Sequence, residues 1–293
     1  MVRPNYYDDF SCIASECKHN CCIGWEIGID EKTLSKYKNA KGKLSEKLKK
    51  CINNGCFVLD ENSRCPFLNK DNLCEIIKNY DESYLCDICR EHPRFYNFVA
   101  GRNEAGLGLS CEAAAKLILE FDKKVKLNGF HFCISHSQRE FLKMRKHIFE
   151  FLQEENLLLS KRLEILGNVY DYDFLKSYEM LINLEKLSNE RDCYFECIKE
   201  GNLKDFEVID EPEFQKAFTN LVLYFVYRHF TYENLYKLKF ALFCIQTIAI
   251  IFAGTEKNPE NLCDIARVFS AEIEYSPENT EEILNFVMEN QSI

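Results

Sequence analysis

Eleven of the chain's 16 cysteines lie within its first 111 residues, and that crowding constrains the fold more than any other feature. They are Cys12, Cys17, Cys21, Cys22, Cys51, Cys56, Cys65, Cys74, Cys86, Cys89 and Cys111. The chain opens MVRPNYYDDF, without the apolar core of a signal peptide, so the expected compartment is the cytoplasm. There, dense cysteine implies metal or iron–sulfur ligation before disulfides.

Nine of the eleven stand in motif-like surroundings. Cys12, Cys17, Cys21 and Cys22 form one group, followed by Ile-Gly-Trp-Glu-Ile. Cys65-Pro-Phe-Leu with Cys74 forms a second, Cys86-Asp-Ile-Cys89 a third, and Cys111 closes the series. Spacings of two to four residues let one loop wrap a soft cation or a cluster, provided the thiolates converge to within roughly 4 Å. Neighbouring side chains usually diverge, so Cys21 and Cys22 are expected to face different sites, or one of them to be a bystander. At about four ligands per site, nine candidates allow one cluster, one zinc and a spare. Structural zinc throughout is the plainer reading of the spacing. His19 is the one histidine placed to substitute for a thiolate, and Cys51 and Cys56 read as bystanders. Cys133, Cys193, Cys197, Cys244 and Cys263 are scattered through apolar or helical stretches and read as buried free thiols.

Only 17 of 293 residues are Gly or Pro, and eight of the 11 glycines fall at or before Gly129. So few chain breakers favour long helices over a β-sandwich or a glycine-rich nucleotide fold. The expected fold is mainly α, with a small cysteine-rich metal-binding domain over residues 1–130 followed by a helical bundle over 131–293. The boundary is placed near 127–136.

In the first part, the stretch from Lys32 to Lys50 carries Leu34, Tyr37, Leu44 and Leu48 on one face of an amphipathic helix capped by Asp30. Trp25–Ile29 and Phe57–Leu59 are short enough to pair as a ribbon. In the second part, Ser137-Gln-Arg-Glu140 reads as a capping box, and Asp210-Glu-Pro, Asn258-Pro-Glu and Ser276-Pro-Glu read as helix starts. The longest apolar run, Phe240 to Ala253, is too short to span a bilayer and reads as a buried helix.

Charge divides unevenly. Residues 1–130 hold 20 basic and 19 acidic side chains, and residues 131–293 hold 17 and 28, giving the net of −10. An acidic second half argues against nucleic acid as a partner and suits a lysine-bearing protein. No phosphate loop, Gly-x-Ser-x-Gly or strand-borne Gly-x-Gly stands in the sequence, and the short Gly106-Leu-Gly108 is a weak lead.

Taken in order, Phe10-Ser-Cys12, Cys17, Cys21-Cys22-x-Gly24-Trp25, Ile29-Asp30, Cys65-x-Phe67-Leu68, Cys74, Leu85-Cys86-x-x-Cys89, Pro93-Arg94 and Ser110-Cys111 resemble the flagellin lysine-N-methylase family. The same region is similar to small zinc- or iron-chelating cysteine-cluster domains. The resemblance covers residues 6–115 and is only compositional beyond them. His92 and Glu112 depart from the pattern, which has an aromatic and a proline there. The resemblance implies methyl transfer from S-adenosylmethionine to lysine amines of flagellin, together with a [4Fe–4S] cluster, zinc being the alternative metal. Trp25, whose face attracts a sulfonium or ammonium cation, and Arg94, which can clamp a carboxylate, are candidates for holding S-adenosylmethionine. Two rival readings are a non-catalytic zinc- or iron-binding module on a helical interaction domain and an iron–sulfur electron carrier.

Overall fold

A computed structural model of the chain describes residues 1–129, 135–167, 172–232 and 234–290. They form two compact units that are discontinuous in sequence. The first consists of Met1–Phe10, Tyr96–Ser110 and Ala114–Ile293, and the second of Ser11–Phe95 and Cys111–Ala113. The chain thus crosses between units four times, whereas the sequence suggested one boundary near 127–136.

Backbone pairing explains why the N-terminus joins the helical unit. Val2 N–H donates to the Asn103 carbonyl (2.8 Å) and the Val2 carbonyl accepts from Ala105 N–H (2.9 Å). Arg3 and Pro4 pair antiparallel with Asn128 and Leu127. The Tyr227 hydroxyl then bonds the carbonyls of both Val2 and Ala105 at 3.0 Å. The Arg94–Val99 strand folds back into Arg102–Leu107 through Ala100 and Gly101, whose φ values of +48° and +82° make the turn.

Helices make up the rest of this unit. The helix Glu112–Leu119 belongs to it from Ala114 on, and His136–Phe151, Leu159–Leu166, Phe174–Ile182 and Arg191–Lys199 follow. After the 3-10 turns of Leu203–Asp210 come Gln215–His229, Lys237–Ala253, Pro259–Glu274 and Pro277–Asn290. Lys237–Ala253 is the centre: every residue from Phe240 to Phe252 is buried, as expected of a helix apolar on all sides. Gln215–His229, Pro259–Glu274 and Pro277–Asn290 pack around it. Among the described residues no helix is long and apolar enough to cross a membrane.

Capping chemistry sets these boundaries. Asn258 accepts from Asn261 N–H (2.9 Å) ahead of Pro259, and Ser276 accepts from Asn279 N–H (3.2 Å), as their sequence contexts suggested. Two other starts differ. The capping box is Ser135 with Gln138, two residues before the expected Ser137 with Glu140, and Glu140 instead pairs with Lys143 at 2.9 Å. Asp210 ends the 3-10 segment and accepts from Ser160 N–H (3.0 Å), so it caps a different helix from the one expected.

One buried charge site holds the helical unit together. Glu274, whose side chain is fully buried, faces Arg228 Nε at 3.2 Å, the Tyr224 hydroxyl at 2.7 Å, the Ser270 hydroxyl and His229 Nε2. Burial opposes its charge, but Arg228 and His229 outweigh it and hold the carboxyl at about 2.

In the second unit, the stretch expected as one helix is two, Glu31–Lys38 and Gly42–Cys51. The break spans residues 39–41, and Gly42, which opens the second helix, sits at φ +67°, off the path a continuous right-handed helix would take. Tyr37, Leu44 and Leu48 remain on the buried side of the two pieces, with Leu34 half-buried beside them. Asp30 caps the first piece through Thr33 N–H (2.9 Å). The expected ribbon is reduced to one antiparallel bridge, Gly28 to Cys56, flanked by Phe57 N–H to the Ile27 carbonyl (3.0 Å) and Ile29 N–H to the Gly55 carbonyl (2.8 Å), while Cys56–Phe57 pairs as a strand with Ile52–Asn53. Phe57, Phe67, Ile76 and Leu85 close a small apolar core with Cys65 and Cys86.

Candidate metal centre

All nine motif cysteines lie in the second unit. Three short backbone devices bring them in from distant positions. Cys65 N–H donates to the Cys22 carbonyl at 2.8 Å, which lays the first group against the second. Cys74 closes the loop from Cys65 through a bridge to Leu68, and Asn69 Oδ1 secures that loop by accepting from Asp71 and Leu73 N–H at 2.9 Å each. Cys86 caps the short helix Asp87–Glu91, which carries Cys89. The second oxygen of Asp30 accepts from Asp87 N–H (2.9 Å), so one carboxylate fixes both the first helix and the Cys86–Cys89 turn.

Six thiols gather in this way: Cys21, Cys22, Cys65, Cys74, Cys86 and Cys89. The Cys86 and Cys89 sulfurs are 3.4 Å apart. The hydrogen bond the two share brings the Cys86 thiol down to about 7 and pushes the Cys89 thiol up. Cys21 and Cys22 form a second such pair, with Cys21 lowered by the bond from Cys22. Cys22 feels Cys65 and Cys74, and Cys89 feels Cys22 and Cys65. Burial raises Cys65 to about 11.

The adjacent thiols therefore meet, against the expectation that neighbouring side chains diverge. The tight turn at residues 21–22 bends the backbone enough to bring both sulfurs to one side. Among the described residues no three cysteine sulfurs lie within 4.8 Å of one another. A four-thiolate zinc ion, with bonds of about 2.3 Å, needs its sulfurs about 3.8 Å apart. A polynuclear cluster seats each thiolate on its own iron and so accepts wider spacing. The all-sulfur donor set against apolar walls fits a soft-metal group, zinc or an iron–sulfur cluster alike.

The remaining three candidates are Cys12, Cys17 and Cys111. Cys17 is close enough to Cys111 and Glu112 to feel both, and burial, followed by the Glu112 charge, pushes its thiol up to about 12. Glu112 is a residue whose role sequence reasoning missed. One of its oxygens accepts from the Cys17 thiol (3.4 Å), Lys18 N–H (2.8 Å) and His19 N–H (3.2 Å), which fixes the loop at 17–19. Its place beside the last cysteine of the series was the available signal. Cys12 is exposed, and its sulfur accepts from Ala14 N–H at 3.4 Å.

Trp25 is half-buried just after Gly24, and Arg94 is half-buried at the start of its strand. Cys51 ends the second helix and packs on the apolar core, and Cys56 donates to Glu26 at 3.1 Å. Elsewhere Cys244 is fully buried, but Cys193 is exposed rather than buried as expected, because it lies on the outer side of its helix with its thiol bonded to the Glu190 carbonyl (2.8 Å). Cys197 and Cys263 are half-buried. Cys133 lies outside the described residues.

The chain matches no family model and no solved structure. Among curated proteins it is 26% identical over 132 residues to the Flagellar biosynthetic protein FliU of Salmonella muenchen. It matches at the same identity two proteins named Lysine-N-methylase, from Salmonella choleraesuis and Salmonella typhimurium. Its homologues include lysine-N-methylases. The resemblance read from the cysteine pattern has that support. Each match takes in 41% of this chain; it covers 76% of the FliU protein but 32% of each methylase, so the chain spans about a third of those longer relatives.

Proposed function

We propose that this chain is an S-adenosylmethionine-dependent protein-lysine N-methyltransferase that acts on flagellin in the cytoplasm and carries a thiolate-held [4Fe–4S] cluster. The observation that carries the reading is the gathering of six thiols in a chain whose homologues are named for lysine methylation. Four of Cys21, Cys22, Cys65, Cys74, Cys86 and Cys89 would hold the cluster. Bound there, it supplies either an iron for the amino and carboxylate groups of S-adenosylmethionine or a rigid core for the loops.

The chain's own residues carry the remaining demands of the reaction. Methyl transfer needs a neutral lysine amine in line with the sulfonium methyl group, so the amine must be desolvated or deprotonated on binding. The Trp25 face is our candidate for attracting the sulfonium, and Arg94 for clamping the cofactor carboxylate. Asp30 and Glu112 act as positioning residues, because each fixes backbone next to cysteines.

The test is purification without oxygen, with iron, sulfide and zinc measured per chain, followed by incubation with flagellin and methyl-labelled S-adenosylmethionine. Iron and sulfide near four each, with label on flagellin lysines, is the expected result. A colourless zinc protein that transfers no label would overturn the reading and favour a non-catalytic metal module.

A further inference from the structure

The helical unit contains a cleft of about 800 Å³ between residues 124–127 and the His136–Phe151 helix. Five exposed cations line it: Lys124, Lys126, Arg139, Lys143 and Lys146. Two further cations there, Arg102 and Arg145, are only 9% and 1% exposed. Glu150 is the one acidic residue in the lining. Such a concentration is unexpected in a chain of net charge −10.

Much of this charge is available. Lys124, Lys126 and Arg139 form no ion pair among the described residues. Lys143 and Lys146 pair only with surface carboxylates, Glu140 at 2.9 Å and Glu150 at 3.6 Å, contacts weak enough to exchange for a ligand. The buried pair is differently held. Glu104, fully buried, accepts from Arg145 Nη1 with both oxygens at 2.9 Å and meets Arg102 Nη2 at 2.5 Å. The Arg145 Nε–H is buried with no hydrogen-bond partner, so this guanidinium contributes its charge to the cleft from within the wall. Val125, Leu127, Leu142 and Phe149 supply apolar lining between the cations.

Size and charge together select the ligand. The volume matches a single small molecule, since such sites run to about 300–1,000 Å³. S-adenosylmethionine carries two positive groups and one negative, so this field repels it, as it repels a lysine side chain. Three uncommitted cations and two exchangeable ones suit several negative charges on one molecule. We propose that the cleft binds an organic polyphosphate of nucleotide type, its phosphates held by Lys124, Lys126 and Arg139 and its apolar body placed against Leu127 and Leu142. The site is independent of the methyl-transfer reading.

Calorimetric titration of the full chain with ADP at low salt tests this, with pyrophosphate, adenosine and S-adenosylmethionine titrated in parallel. The expected result is ADP binding that weakens as salt rises, with pyrophosphate weaker and adenosine and S-adenosylmethionine absent from the site. The double variant K124E/R139E changes two exposed side chains and should melt like the parent while losing about tenfold or more in ADP affinity. No heat with millimolar ADP, or equal ADP affinity in the variant, overturns the proposal. So does adenosine binding as tightly as ADP, because the phosphates would then contribute nothing.

Discussion

Replacing Glu274 by Gln should destabilise the helical unit by an amount that depends on pH in a defined way. The carboxyl is held at about 2 against an ordinary value of 4.5, a difference equivalent to about 3 kcal/mol of folding free energy at neutral pH. Loss of one partner from a buried ion pair costs a similar amount, about 3–5 kcal/mol, because Arg228 is left buried without its counter-charge. Near pH 7 the E274Q protein should therefore melt on the order of 10 °C lower, at about 2–4 °C per kcal/mol for a unit of this size. A depressed carboxyl contributes fully above its unfolded value and loses that contribution as pH falls towards its folded value. The stability gap between the two proteins should thus hold above about pH 5.5 and shrink to less than half by about pH 3. Urea unfolding followed by helical circular dichroism across that range measures the gap. A melting temperature unchanged near pH 7, or a gap that stays constant down to about pH 3, would refute the assignment of Glu274 as a buried, charged anchor.

Three further outcomes are expected. Replacing Cys21 or Cys86 by Ser should lower metal content and the melting temperature, while Cys244→Ser should leave metal stoichiometry unchanged; elemental analysis separates the two classes, and metal loss in the Cys244 variant would show the cysteines to be misassigned. Asp30→Ala removes the acceptor for both Thr33 and Asp87 N–H and should cost about 1–2 kcal/mol, read by chemical denaturation, with full retention of stability counting against its double role. Gly42→Ala meets no atom within 4 Å of the new methyl group, so its cost should be only the roughly 1 kcal/mol of a left-handed backbone, and a neutral effect would mean the helix break is not imposed by that conformation.

Helices were legible where one residue decides a boundary. Asn258 and Ser276 each cap the helix that their proline suggested, because an oxygen acceptor before a proline has few other roles. Ser137 and Asp210 had equally good local credentials, but Ser135 begins the helix one half-turn earlier and Asp210 is taken by Ser160 N–H. The apolar face from Leu34 to Leu48 was real, yet periodicity alone did not register the break over 39–41, with the left-handed Gly42 opening the second of two helices that share that face.

The candidate metal centre was legible in its parts and not in its assembly. Residue type and spacing marked nine cysteines, but only tertiary pairing, such as Cys65 N–H to the Cys22 carbonyl, shows that six gather while Cys17 lies by Cys111 and Glu112. Cys21 and Cys22, whose side chains were expected to diverge, share a hydrogen bond where the chain turns. The basic cleft was hidden by arithmetic of a different kind. Lys124 and Lys126 were counted with the nearly neutral first part, and Arg139, Lys143 and Lys146 with the strongly acidic second. A sum over either stretch cancels them against distant carboxylates. The fold does not: it brings the segment at 124–127 against the His136–Phe151 helix, so five cations from both sides of that division face one cavity. An overall acidic charge thus limits what the whole surface attracts, and it leaves open what a single cleft can bind.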